Sequence, residues 1–310
     1  MTTTRIGFMF SGQGAQTVGM GADLVAASKG ARELFEQADQ VLPEPISRVC
    51  FDGPLAALTE SRNCQPAIYA MSLAALAAFR ERLPCAPIVC GGLSLGEFAA
   101  AQAAGVFSFA DGLGLIAARG RLMGDACQAT DGTMAAILNA DPELVATTCA
   151  EHDADVANYN CPGQIVISGG RPQVEAAIAA LKAAGVGKII PLQVDGAFHS
   201  RLMQSAADQF SGVLEAAAVG VPSVPLAQNV VGGLVTDPAA IRGNLCAQIT
   251  GSVRWEGCVR AMLGLGVEAL VEFGPGKVLS GFMRRIDPTV PTYNVGTAED
   301  LEKTVAELTD

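Results

Sequence analysis

Ser94 stands in Gly92-Leu93-Ser94-Leu95-Gly96, with a glycine two residues to either side, between an apolar run at 87–90 and an alanine-rich stretch. A serine on a sharp strand-to-helix turn projects its hydroxyl into a cleft. Glycines at these offsets remove side chains that the turn would force together. The helix starting there offers backbone N–H groups and a positive dipole end to a developing oxyanion. The spacing therefore predicts a nucleophilic serine for acyl chemistry.

Such a serine needs a general base. The chain has two histidines, His152 and His199. His152 lies among Glu151, Asp153 and Asp155 and reads as a solvated surface group. His199 follows Val194-Asp195-Gly196-Ala197-Phe198, where an apolar strand gives way to a helix, an edge from which an imidazole can face a cleft. Elimination assigns the base to His199. Hydrolase triads orient their histidine with a carboxylate. No aspartate or glutamate is marked for that task here, and a backbone carbonyl or an amide could replace it.

Two further features bear on substrate. Arg119 ends the mostly apolar run Gly112-Leu113-Gly114-Leu115-Ile116-Ala117-Ala118. A guanidinium in such a setting needs a planar anionic partner, which a substrate carboxylate or an internal ion pair would supply. Gly12-Gln13-Gly14-Ala15-Gln16 follows an apolar run and resembles a dinucleotide loop, but Thr17 stands where the third glycine belongs. A loop of donors aimed at an oxyanion fits it better.

The elements that must carry these residues read as alternating strands and helices. Strands are expected at 6–10, 87–90 and 269–273, an apolar segment lies near 224–229, and helices are expected at about 22–41 and 65–82, after Gly96, from His199 and from Val253. A last helix follows Gly274-Pro275-Gly276-Lys277. This is the pattern of a parallel sheet covered on both faces. The stretch 133–194 differs: strand 133–138, helix 142–152, strands 155–159 and 164–168, helix 172–185 and strand 188–194. That β-α-β-β-α-β order is ferredoxin-like. It predicts an α/β chain with a large domain at 1–127 and 198–310 and a small inserted subdomain at 128–197.

Bulk composition excludes several classes of function. Of 310 residues half are apolar and 16% charged, which supports a sizeable core and excludes disorder. A net charge of −11 argues against nucleic acid as a partner and offers no basic stretch to a membrane. Nine cysteines without a CxxC pair, together with two histidines, give no zinc ligand set, so neither metal nor cofactor is expected. The N-terminal apolar run is too short for a secretory signal, and reduced thiols in the cytoplasm are the expectation.

Taken together, the chain resembles the malonyl-CoA:acyl carrier protein transacylase family of fatty acid and polyketide synthesis. The resemblance rests on Gly12-Gln13-Gly14-Ala15-Gln16, Gly92-Leu93-Ser94-Leu95-Gly96-Glu97, Arg119-Gly120, Asn158-Tyr159-Asn160-Cys161-Pro162-Gly163, Gly196-Ala197-Phe198-His199-Ser200 and Gly274-Pro275-Gly276-Lys277. It implies an α/β-hydrolase-like large domain and malonyl transfer from coenzyme A to a carrier protein through a ping-pong malonyl-Ser94 intermediate. His199 would be base and acid, with the backbone carbonyl of Gln248 orienting it. Gln13 and Leu95 would supply oxyanion N–H groups. Arg119 would hold the malonyl carboxylate, with Phe198 and Asn160 as further substrate-binding residues. A monomer is implied.

The family usually has histidine where this chain has Leu93. The acidic chain would need a local basic patch to dock an acidic carrier protein, and Lys182, Lys188, Lys277, Arg284 and Arg285 are the candidates. The same Ser–His pair would also serve a serine esterase or thioesterase, a polyketide-synthase acyltransferase acting in trans, or, if silenced, a scaffold.

Overall fold

The computed structural model describes residues 5–194 and 196–309. Residues 1–4, where the reading of the N-terminus begins, and Asp195, ahead of His199, lie outside them. Among the described residues ten strands occur in chain order: β1 (Ile6–Phe10), β2 (Val89–Gly92), β3 (Gly132–Leu138), β4 (Asp155–Cys161), β5 (Gln164–Gly170), β6 (Lys188–Pro191), β7 (Leu226–Gln228), β8 (Gly233–Val235), β9 (Ala269–Phe273) and β10 (Thr292–Val295).

Six of them form one sheet in the order β10-β9-β1-β2-β7-β8, parallel throughout except for the β7–β8 hairpin at one edge. β1, β2 and β9 are buried at every position, which is why β1 and β2 read as unbroken apolar or glycine runs, and β9 as an apolar run broken only by the buried Glu272, rather than as alternating ones. In β1–β2 the register pairs Phe10 with Gly92, so the loops after the two strands leave the sheet side by side.

On one face Phe8, Phe10, Phe79 and Phe273 pack together, with ring centroids 4.9 Å apart for Phe8 and Phe273 and 5.4 Å for Phe79 and Phe273. Phe79 comes from the helix Ser61–Arg82, which is buried along most of its length against the helix Phe109–Gln128. Small residues permit that approach: a Cβ on Gly120 would sit 2.5 Å from the Ser61 carbonyl oxygen.

The second sheet is antiparallel, in the order β4-β5-β3-β6, with the helices Pro142–Glu151 and Arg171–Ala183 packed together on it. It has a core of its own that includes Ile137, Val145, Ile167, Val174 and Leu181. Asp141 caps the first of these helices by accepting from Glu143 N and Leu144 N, and Pro142 occupies the position where a missing N–H costs nothing. Main-chain hydrogen bonds from Tyr159 N to Val253 O and from Val253 N to Ala157 O tie β4 to the segment leading into the helix Trp255–Leu263.

Several elements depart from the expected ones. The helix expected over 22–41 is two helices, Ala22–Ala27 and Lys29–Val41, because Ser28 is extended and its hydroxyl caps the second by accepting from Ala31 N. The helix expected from His199 starts as a 3-10 turn at Arg201–Met203 and becomes regular only over Gln204–Ala216. After the helix Val278–Ile286, which is not the last, β10 and the helix Ala298–Thr309 complete the sheet edge. No helix among the described residues is long and apolar enough to cross a membrane.

Candidate active site

The turn between β2 and the helix Gly96–Ala103 carries Ser94 at φ 53°, in the left-handed region. Its glycines are required by contact. A Cβ on Gly92 would lie 2.0 Å from the Gly96 carbonyl, and one on Gly96 would lie 2.2 Å from the Phe10 carbonyl oxygen. Those neighbours are backbone and cannot give way. A serine held at positive φ costs roughly 1–2 kcal/mol, and Asn229 offsets it by clamping the turn. Its Oδ1 accepts from Ser94 N at 2.7 Å while its Nδ2 donates to Gly92 O at 2.8 Å.

His199 is buried, also at positive φ (56°), with Nε2 2.7 Å from Ser94 Oγ. Its Nδ1 lies 2.8 Å from the Gln248 carbonyl oxygen. A carbonyl only accepts, so Nδ1 carries the proton and the Nε2 lone pair faces the serine hydroxyl. Burial, then the positive Arg119, lower the imidazole pKa to about 4, against the opposing pull of the Gln248 and Gly251 carbonyls. The imidazole is therefore neutral at physiological pH.

Arg119 is buried too. Nη1 donates to Gln65 Oε1 at 2.6 Å, and Nη2 donates to Gln248 Oε1 at 2.9 Å and to Ser94 Oγ at 3.1 Å. Its guanidinium lies over the Phe98 ring at 5.6 Å, and its Nε has no partner among the described residues. The internal ion pair that the sequence left open is not formed: among the described residues no carboxylate comes within 4 Å of it. Burial lowers its pKa to about 10, and the more distant Glu97 pushes the other way, so it stays cationic at neutral pH.

These groups line a cavity of about 240 Å³ together with Gln13, Leu93, Asn160 and Phe198. Among the described residues the backbone N–H groups of Gln13 and Leu95 have no hydrogen-bond partner, whereas that of Ser94 is taken by Asn229. Asn160 is buried, its Oδ1 has no partner among the described residues, and its Nδ2 donates to Gln164. Leu93 packs against the loop after β1, its Cδ2 lying 3.2 Å from where a Cβ on Gly12 would be. In place of an imidazole it supplies an apolar wall.

The structure thus brings together every candidate site residue read from the sequence, Ser94, His199, Gln248, Gln13, Leu95, Arg119, Phe198 and Asn160. It leaves His152 outside the cavity, at a helix C-terminus. Of the basic candidates, Lys277 pairs with Asp300 at 2.8 Å and Arg285 donates to Asn139, while Lys182, Lys188 and Arg284 are exposed. Sequence reasoning gave no role to Gln65, Glu97, Gln228 or Asn229. Glu97 had a signal, standing directly after the serine motif. The three amides have none in their local sequence.

A sequence model of the family described as "Acyl transferase domain" matches residues 7–275. The chain belongs to the acyl transferase family. Its relatives in that family include a malonyl CoA-acyl carrier protein transacylase of Bacillus subtilis, 38% identical over 310 residues and 98% of both chains. The solved malonyl CoA-acyl carrier protein transacylase of Clostridium perfringens superposes with a TM-score of 0.94 at 34% identity, covering 99% of this chain and 98% of that one. A malonyl-transacylase solved in complex with a type II PKS acyl-carrier protein gives a TM-score of 0.94 at 35% identity, over 98% of this chain and all of that one. Like them, this acyl transferase has a parallel-rich sheet and a separate antiparallel one.

Proposed function

We propose that this acyl transferase moves a malonyl group from coenzyme A to the phosphopantetheine thiol of an acyl carrier protein. Ser94 Oγ attacks the thioester carbonyl carbon as His199 Nε2 takes its proton. The Gln13 and Leu95 N–H groups receive the oxyanion. The C–S bond breaks, and the coenzyme A sulfur leaves with the proton from His199. In the second half the carrier thiol gives its proton to His199 and attacks the malonyl-Ser94 ester, and Ser94 Oγ recovers the proton as the C–O bond breaks.

The observation that carries this reading is the convergence of two groups on Ser94 Oγ, a neutral imidazole at 2.7 Å and the Arg119 guanidinium at 3.1 Å. In a malonyl ester the free carboxylate is one methylene from the carbonyl under attack, so its cation must stand beside the nucleophile. An esterase needs no such cation. The buried Nε of Arg119, together with its Nη atoms, supplies charge-assisted donors for that carboxylate.

Residues 1–127 and 198–310 act in this reading as the catalytic unit, with 128–197 as an insertion supported by its separate core. A reducing cytoplasm suits a chain in which no disulfide joins the cysteines among the described residues. The relative solved with a type II PKS carrier keeps polyketide as well as fatty acid carriers open as acceptors.

Intact-mass and peptide mass spectrometry after mixing with malonyl-CoA tests the proposal. A malonyl adduct on Ser94 that is discharged by added holo-carrier protein is expected. Fast release of free malonate without carrier would replace transfer by hydrolysis, and no adduct would leave a scaffold.

A further inference from the structure

Glu97 is three residues past the nucleophile and fully buried, yet the acyl-transfer steps give it no task. Every group bonded to its carboxylate is a donor. Gln228 Nε2 reaches Oε1 at 3.0 Å, and Asn229 N and Gln248 Nε2 reach Oε2 at 2.8 and 2.9 Å. A carboxylate accepts all three. A protonated carboxyl or a carboxamide would bring a hydrogen of its own against them.

Two of these donors, Asn229 and Gln248, are residues that shape the site. Asn229 clamps the Ser94 turn through Ser94 N and Gly92 O. Gln248 donates to Glu97 and to Ser94 O from one amide nitrogen, receives Arg119 Nη2 on its Oε1, and receives His199 Nδ1 on its main-chain oxygen. One buried carboxylate therefore lies a single residue away from nucleophile, base and cation alike.

We infer that Glu97, in its ionised form, is the positioning residue of this site, fixing Asn229 and Gln248 and through them the Ser94 turn, His199 and Arg119. It touches no reacting atom. Around it stand Arg119 from the helix Phe109–Gln128, Gln228 and Asn229 at the end of β7, Gln248 after the helix Pro238–Ala247, and Cys258 from the helix Trp255–Leu263. Burial pushes the Cys258 thiol up, so it stays neutral and Arg119 is the charge acting on Glu97. Desolvation raises the Glu97 carboxyl to about 7, against the pull of its three donors and Arg119. Its ionisation thus falls near neutrality, where His199 is already neutral.

The inference rests on the malonyl-Ser94 reading, and its test separates the two. The rate of Ser94 malonylation by malonyl-CoA is followed by rapid-mixing mass spectrometry across pH for the wild-type chain and Glu97→Gln, with thermal melting as a control for folding. The wild-type rate should fall on acidification with a midpoint near 7. Glu97→Gln should be slower by about tenfold or more at high pH and should lack that midpoint, a change that a merely structural role would not produce.

If Glu97→Gln does not fold, Glu97→Asp should keep the acid limb but displace its midpoint. A wild-type rate that is flat through neutrality, a midpoint shared by both chains or unmoved in Glu97→Asp, or a Glu97→Gln rate close to wild type would overturn the inference while leaving malonyl transfer intact. A wild-type chain that never acquires malonate on Ser94 would remove both.

Discussion

Ser94 and His199, 105 residues apart in sequence, both hold left-handed backbone conformations and meet with Oγ and Nε2 2.7 Å apart. Each is turned into the cavity by a backbone that non-glycine residues adopt at a cost, and each is held there by an amide side chain or carbonyl from a third segment. Strain at two facing residues marks a place where geometry is imposed for use rather than for stability.

Replacing His199, the base of the proposed reaction, tests that contact directly. General base catalysis contributes roughly 10²–10⁴ in rate, so His199→Ala should lower the rate of Ser94 acylation by about that factor. The fold should survive, since β2 and the turn do not depend on the ring. Stopped-flow release of coenzyme A measures this, and a loss below about tenfold would argue that another group takes the proton.

Arg119→Ala should separate substrates. Hydrogen bonds to charged groups contribute about 1.5–3 kcal/mol, so malonyl loading should fall by roughly 10- to 100-fold while acetyl loading is largely spared. Arg119→Lys should not restore malonyl loading, because an ammonium cannot reproduce the contacts that the planar fork makes to Gln65 and Gln248. Competition between the two thioesters reads the ratio, and equal losses would refute the carboxylate assignment.

His199 also leaves a mark on stability. Its pKa falls from 6.5 in the unfolded chain to about 4 in the fold. The contribution of the neutral ring is present above 6.5 and is lost as pH falls towards 4, on the order of 3 kcal/mol. Glu97, raised from 4.5 to about 7, acts oppositely, adding stability as pH falls through the same window. Denaturation of the wild-type and His199→Gln chains at neutral and acid pH should show the smaller acid loss in the variant. Equal losses would place the imidazole titration elsewhere.

Leu93→His should keep malonyl transfer within about an order of magnitude, because no hydrogen bond to Ser94, His199 or Arg119 runs through the Leu93 side chain. Steady-state rates with carrier protein check it. A larger fall would give the apolar wall against Gly12 a role in holding the oxyanion loop.

What was legible in the sequence was local. Gly92 acts on the backbone of Gly96 and Glu97 only a few residues away, and β9 falls residue for residue on the expected strand. His199 was found because the chain has only one other histidine. Asn229 and Gln65 were not, because each works through an amide brought to the site across 135 and 54 residues. The Gln248 carbonyl came from resemblance, but its side-chain bonds to Arg119 and Glu97 needed coordinates. β10 was overlooked although Thr292–Val295 lies between Pro291 and Gly296, a recognisable strand signal.

The pairing of Phe10 with Gly92 has a consequence for how the site could be lost. Gln13 and Leu95 each stand three residues beyond that pair, so the two N–H groups assigned to the oxyanion are matched through the β1–β2 register. Inserting or deleting one residue in either strand would slide the loops past each other and turn one strand's side chains to the opposite face. Ser94 and His199 would still be encoded, but the two donors would no longer share a focus. The proposed oxyanion site belongs to the alignment of two neighbouring strands and is not contained in either loop alone.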